Sequence, residues 1–97
     1  MSFKVRMLAA AQQDVRIAAI WYSKQVKGLG SKFLNELKSY KKTLEKNPFF
    51  AKRNVVIRTL PLKKFPFMIH YTINEKQNEV IILSVLHTAQ NPEIWPK

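Results

Sequence analysis

The sequence predicts an α+β fold in which a helical hairpin packs on one face of a small, mostly antiparallel sheet, in the order β-α-α-β-β-β. Two observations lead to this prediction. Apolar residues recur every three to four positions from residue 8 to residue 44, and shorter apolar segments typical of strands lie on both sides of that region. The chain has 97 residues, of which 46% are hydrophobic, enough for one core. We therefore expect a single domain spanning residues 1–97.

The first strand and the first helix follow directly from the spacing of apolar residues. Phe3, Val5 and Met7 alternate with Lys4 and Arg6, the period of a half-buried strand. The period then changes to that of an amphipathic helix of about four turns. Its apolar positions are Leu8, Ala11, Val15, Ala18 and Tyr22.

The two glycines of the chain, Gly28 and Gly30, lie where this pattern stops, which suits a helix end and a tight connection. A second helical pattern follows and ends at Asn47-Pro48, because proline disfavours helix at the residue before it. Its apolar positions are Phe33, Leu37, Tyr40 and Leu44. Two helices joined by so short a turn pack as an antiparallel hairpin. We interpret three aromatic residues as part of the core: Trp21, Tyr22 and Tyr40.

Three further strands are predicted at residues 55–57, 67–73 and 80–86, the last two joined by the polar residues 74–78. A four-residue loop at 75–78 pairs Phe67, Ile69, Tyr71 and Ile73 with Leu86, Ser84, Ile82 and Val80. Both faces of this hairpin are then apolar, and the helices cover only one. Residues 47–66 and the C-terminal tail shield the other face, or it binds a protein. Its candidate binding residues are Met68, His70, Leu83 and Val85.

The formal net charge of +11 favours anionic partners: nucleic acid, an acidic protein or an anionic membrane. No apolar run approaches the roughly 20 residues of a membrane span, and the first residues lack the apolar stretch of a signal peptide. We expect a soluble, cytoplasmic protein with no membrane partner. A basic protein with a half-open apolar groove suggests an acidic, amphipathic partner.

Several kinds of chemistry are excluded by residue type or by spacing. The chain has no cysteine, so disulfides, thiolate zinc sites and thiol nucleophiles are ruled out. Its six carboxylates are scattered, and His70 and His87 are predicted about 13 Å apart on one face of the hairpin, too far to share a metal ion. The glycines do not form a phosphate-binding loop. We therefore expect neither a metal site nor a cofactor.

A basic cluster surrounds the predicted strand at residues 55–57. Its cations are Lys52, Arg53, Arg58, Lys63 and Lys64, interleaved with Phe49, Phe50 and Phe65. Such a cluster binds nucleic acid or stabilises the charge of a phosphorane, or it is a solvated rim whose phenylalanines lie in the core. Trp95 either packs on the end of the sheet or is an exposed anchor for a target.

Four stretches, in this order and spacing, resemble the RelE/ParE superfamily of toxins from bacterial type II toxin–antitoxin systems, which includes the plasmid stabilisation proteins. They are Ala11–Ile17 with Ile20-Trp21-Tyr22, Gly30–Leu37, Phe65–Tyr71, and Val80–His87 followed by Asn91-Pro92. The resemblance implies a RelE/ParE-like fold and a cytoplasmic growth inhibitor. It also implies neutralisation by an acidic antitoxin from an adjacent gene, whose C-terminal segment wraps the toxin in a hetero-oligomer.

The superfamily contains inhibitors of DNA gyrase and ribosome-dependent mRNA endonucleases on one fold. A metal-independent ribonuclease needs an acid, a base and cations around the phosphate, for which the candidates are Arg58, His87, Lys63 and Lys64. Gln90, however, stands where the nucleases commonly have arginine, and glutamine cannot neutralise a phosphate. We therefore favour a ParE-like toxin that inhibits gyrase by protein binding. The alternatives are mRNA cleavage at the ribosome and a non-toxic binding module of the same fold.

Overall fold

A computed structural model describes residues 2–50, 52 and 55–89. In chain order the elements are β1 Lys4–Met7, α1 Ala9–Gln25, α2 Leu29–Lys46, β2 Arg58–Pro61, β3 Phe67–Asn74 and β4 Glu79–His87. The strands form one sheet in the order β1-β4-β3-β2, in which β1 runs parallel to β4 and the other neighbours are antiparallel. The predicted β-α-α-β-β-β order and the helical hairpin are confirmed.

The turn between the helices depends on glycine. Gly28 has φ +83°, a left-handed conformation that L side chains rarely adopt, and it directly precedes α2. Gly30 lies where the helices approach each other closely, because a Cβ atom on Gly30 would lie 2.5 Å from the carbonyl oxygen of Ala19 on α1. The two glycines of the sequence therefore serve different purposes, one the backbone of the turn and the other the contact between helices.

The core lies between the helical hairpin and the sheet. Fully buried side chains from α2 and from the two central strands meet there: Phe33, Leu44, Ile69, Tyr71, Val80 and Ile82. Burying each apolar side chain of this size contributes about 1.5–3 kcal/mol. At one end of the core an aromatic cluster joins α1 and α2 to the start of β3, with Tyr22 and Phe65 ring centroids 4.9 Å apart and Phe33 and Phe67 centroids 5.2 Å apart.

The prediction of a strand at residues 55–57 was wrong. The strand is Arg58–Pro61, whereas residues 55–57 form a bend in which Val55 is 89% exposed. Arg58 pairs with Tyr71 of β3, and Pro61 pairs with Met68. The Thr72 hydroxyl donates to the Val56 carbonyl over 2.7 Å, a side-chain contact rather than a ladder bond. β-Branched residues favour strands only where a partner strand is available, and here the partner lies opposite the next four residues.

The predicted register of the β3–β4 hairpin is correct only near its loop. Tyr71 pairs with Ile82 as predicted, but a β-bulge leaves Leu83 without a partner, so Ile69 pairs with Val85 instead of Ser84. Beyond the bulge every side chain of β4 changes face. Val85 therefore lies in the core, where it is 1% exposed.

The sheet face away from the helices is buried at its centre. His70 has no exposed surface, its partner Ser84 is also buried, and Ile57 is buried as well. The hydrogen bond from Thr72 places Val56 against this face. Of the two predicted alternatives, shielding of this face by residues 47–66 is therefore the one that the structure supports. No helix in the described ranges has the length and apolar character that crossing a membrane requires.

Candidate functional site

Arg58, at the start of β2, is held by the segment that follows α2. Its guanidinium Nη1 donates to the carbonyl of Phe50 over 2.6 Å, and its Cζ lies 5.3 Å from the centroid of the Phe49 ring. The Tyr71 hydroxyl donates to the Pro48 carbonyl over 2.6 Å in the same region. Burial raises the pKa of Tyr71, against the opposing effects of its hydrogen bond with Phe50 and of the Arg58 charge. Arg58 therefore anchors residues 48–50 to the sheet.

The rest of the predicted basic cluster divides into two parts. Lys52 is exposed and forms an isolated antiparallel bridge with Arg58, so these two cations lie together at the outer edge of the sheet. Lys63 and Lys64 belong to the loop between β2 and β3, at the other end of the short strand β2. Arg53 and Trp95, also predicted as target-binding residues, lie outside the described residues.

The loop that carries Lys63 and Lys64 is fixed to α2 through its backbone. The Lys63 N–H donates to the Tyr40 hydroxyl over 3.0 Å, and the Lys64 N–H donates to a Glu36 carboxylate oxygen over 3.3 Å. The side chains of both lysines remain exposed. Together with Lys32 they line a groove of about 880 Å³ beside α2. The structure thus presents these cations on a rigid loop, where they can contact an anionic surface.

His87, the proposed acid or base, ends β4 and pairs with Phe67. The two rings are 5.3 Å apart between centroids in an edge-to-face arrangement. Its Nδ1 accepts a hydrogen bond from the Ala89 N–H over 3.0 Å, so the neutral ring carries its proton on Nε2. The chain thereby fixes the orientation of the imidazole.

The structure does not bring the predicted catalytic residues together. Arg58 pairs with Tyr71, whereas His87 pairs with Phe67 at the other end of β3. Four residues along β3 and two strands across it separate Arg58 from His87 by about 16 Å between Cα atoms, at ~3.3 Å per residue and ~4.8 Å per strand. The two central strands, β3 and β4, contain no lysine or arginine. Among the described residues no cluster of histidine, aspartate and glutamate is suited to a metal ion.

The four residues predicted to bind an acidic partner do not form one exposed surface. Met68 and Leu83 are half-buried, but His70 has no exposed surface and Val85 lies in the core. The prediction placed Val85 on the outer face because it assumed a regular hairpin, and the bulge at Leu83 reverses that assignment.

The sequence analysis missed an apolar surface on α1. We interpreted Trp21 as core, but its side chain is 56% exposed, and Ile17 and Ile20 are exposed beside it. Trp21 and Ile17 form one wall of a groove of about 660 Å³, whose other wall is formed by Pro66 and Leu86. The sequence did contain a signal. Adjacent helical residues point about 100° apart, so Trp21 and Tyr22 cannot both face the sheet.

Asp14 connects this groove to the sheet. Its carboxylate Oδ2 accepts a hydrogen bond from the backbone N–H of Val85 over 3.1 Å. Desolvation by burial raises the pKa of Asp14, and the hydrogen bond from Val85 opposes the rise. The groove therefore has an apolar surface, and its carboxylate is already bound within the chain.

With this geometry described, the chain can be compared with known proteins. The family model of the ParE toxin of the type II toxin–antitoxin system parDE matches residues 5–92. No curated protein sequence matches the chain with significance.

Solved structures share the fold at low sequence identity. A chain of the chromosomal ParDE system from P. aeruginosa is 18% identical with a TM-score of 0.72, covering 89% of this chain and 96% of that one. A chain of the intact E. coli RelBE toxin–antitoxin complex is 16% identical with a TM-score of 0.69, covering 93% and 100%. A chain of the RelBE2 toxin–antitoxin complex from Mycobacterium tuberculosis is 16% identical with a TM-score of 0.63, covering 90% and 99%. At these identities the likeness establishes the fold.

Proposed function

This chain belongs to the ParE toxin family of type II toxin–antitoxin systems, and from that premise we propose that it arrests growth by binding and inhibiting DNA gyrase. We further propose that residues 1–97 form one toxin domain that acts in the cytoplasm. An acidic antitoxin encoded by the adjacent gene neutralises it in a hetero-oligomer.

One observation carries the choice of protein binding over RNA cleavage. The strands at the centre of the sheet contain no lysine or arginine, and Arg58 and His87 lie at different ends of β3. Cleavage by attack of a 2′-hydroxyl requires cations around the phosphate and an acid and a base within hydrogen-bond reach of the reacting atoms. A protein-binding inhibitor requires only an accessible surface. The exposed cations Lys52, Lys63 and Lys64 supply part of that surface in this proposal.

Two observations support an acidic antitoxin as the partner. The formal net charge of +11 attracts acidic proteins over distances beyond direct contact. In addition, the structures that share this fold include toxin–antitoxin complexes, among them RelBE from E. coli and RelBE2 from Mycobacterium tuberculosis.

The deciding experiment is a DNA supercoiling assay with purified gyrase and purified toxin, run beside an mRNA cleavage assay on translating ribosomes. We expect loss of supercoiling or accumulation of cleaved DNA, and intact mRNA. Cleaved mRNA together with unimpaired supercoiling would instead establish the ribonuclease. Normal growth after induction of the chain alone, with the protein confirmed in the cell, would contradict any toxic activity.

A substitution at His87 separates the two mechanisms within the toxin. We expect His87→Ala to arrest growth as strongly as the original chain, because the proposed mechanism has no proton transfer at this ring. Its control is the double substitution Lys63→Ala and Lys64→Ala, which removes exposed cations from the proposed target surface and should weaken growth arrest. Loss of toxicity in a folded His87→Ala protein would favour catalysis.

A further inference from the structure

Three large apolar side chains project from one face of α1. Ile17 is 59% exposed, Ile20 51% and Trp21 56%. They stand at positions i, i+3 and i+4 and are therefore neighbours on the helix surface. A contiguous apolar patch of this kind on a soluble protein marks a site of interaction.

The patch continues into the groove of about 660 Å³ between α1 and the end of β4. Ala18 and Val85 lie at its base, and Pro66 and Leu86 form the far wall. α1 has 17 residues and is about 25 Å long at 1.5 Å per residue. A surface of this length, with apolar anchors at helical spacing, fits a partner helix lying along it.

The charges around the patch specify an acidic occupant. Arg16 and Lys24 are exposed, and each stands four residues from Ile20 on the same side of the helix. Cations therefore flank the apolar patch at both ends. The groove's carboxylate, Asp14, is already hydrogen-bonded to Val85. A second copy of this chain would bring a further formal charge of +11 against the same surface and would be repelled.

We propose that the groove between α1 and β4 is the seat of the antitoxin, which binds there through an amphipathic helix with acidic residues beside its apolar stripe. This inference rests on the proposed function, since it names the surface through which the toxin is neutralised. It replaces the predicted surface on the outer face of the sheet, where His70 is buried, with one whose anchors are exposed.

The test is a binding measurement with the purified product of the adjacent gene. The double substitution Ile17→Ala and Trp21→Ala removes two anchors that are more than half exposed, so the fold should persist, as circular dichroism can verify. We expect calorimetric titration to show affinity at least ~100-fold lower, in keeping with the weight that buried tryptophan carries at interfaces. Val55→Ala is the matched control, because Val55 is an exposed apolar residue outside the groove, and it should bind as the original chain does.

Growth assays distinguish the possible occupants. The doubly substituted toxin should still arrest growth, and co-expression of the adjacent gene should no longer restore it. Unchanged antitoxin affinity would overturn the inference. So would loss of growth arrest with intact antitoxin binding, which would assign the groove to the target. A dimer of the original chain that the double substitution dissociates would assign it to a second copy.

Failure of the proposed function gives a different result. If the original chain leaves gyrase active, but its antitoxin binding still depends on Ile17 and Trp21, only gyrase inhibition is disproved. If the original chain neither arrests growth nor binds the adjacent gene product, both proposals fail.

Discussion

At the scale of single residues, Asp14 takes the place of a missing strand. β1 ends at Met7, which lies opposite Ile82, so Val85 is beyond the last residue that β1 can pair with. Asp14 accepts the Val85 N–H instead. Asp14→Ala leaves that donor without its acceptor, and we expect the free energy of unfolding to fall by about 1 kcal/mol in urea titration. Asp14→Asn keeps an acceptor oxygen and should lose less. Equal losses in the two variants would contradict this role.

The same carboxyl group predicts a pH dependence. Burial raises the pKa of Asp14, so the folded chain binds its proton more tightly than the unfolded chain, in which the pKa is near the usual 3.8. Its contribution to stability is therefore fully present below pH 3.8 and is lost as pH rises through the raised pKa. We expect the stability of Asp14→Asn relative to the original chain to increase between about pH 3 and about pH 6, measured as the difference in urea midpoints. A difference that stays constant would show that Asp14 titrates normally.

Arg58 has a structural role that mutational studies must separate from function. Arg58→Ala removes a hydrogen bond to the Phe50 carbonyl and the contact with the Phe49 ring. We expect it to lower the free energy of unfolding by about 1.5–3 kcal/mol, the range for a hydrogen bond from a charged donor. Lys52→Ala, at an exposed neighbouring cation, should change stability by less than about 0.5 kcal/mol. Reduced toxicity of Arg58→Ala with unchanged stability would show instead that Arg58 contacts the target.

At the scale of elements, the contact between α1 and α2 depends on the missing side chain at Gly30. Alanine normally stabilises a helix by about 1 kcal/mol relative to glycine. Here its Cβ would lie 2.5 Å from the Ala19 carbonyl oxygen, a backbone atom that cannot move aside without shifting α1. We expect Gly30→Ala to lower the free energy of unfolding by about 1–3 kcal/mol, as overpacking does. Ser31→Ala, at the next and exposed position, is the control and should be neutral or stabilising. Stabilisation by Gly30→Ala would show that the helices separate at little cost.

The elements that the sequence predicted correctly are those that depend on nearby residues. The helical repeat, the glycines of the turn and the polar loop at residues 75–78 are local, and α1, α2 and the β3–β4 hairpin appear as predicted. The position of β2 and the bulge at Leu83 depend on distant partners, Tyr71 and Asp14 among them, and the β-branched residues Val55 and Val56 misled the prediction. The candidate site was affected most, because one bulge decides which face carries Val85.

At the scale of the whole molecule, the charge of +11 makes opposite predictions for the free chain and for its complex. The chain measures 42 × 30 × 23 Å. The Debye length is about 30 Å at 0.01 M ionic strength, so like charges repel across the whole protein, whereas at about 0.15 M it is about 8 Å and only neighbours interact. We expect the Tm of the free chain to rise over this range, by about 4–8 °C if screening relieves about 1 kcal/mol of repulsion. The affinity for an acidic antitoxin should fall over the same range, because salt screens the attraction between the partners. Scanning calorimetry of the free chain and titration with the adjacent gene product provide the two measurements. A Tm that falls with salt would show that local ion pairs outweigh the net charge, and an affinity independent of salt would show that the antitoxin binds through apolar contacts alone.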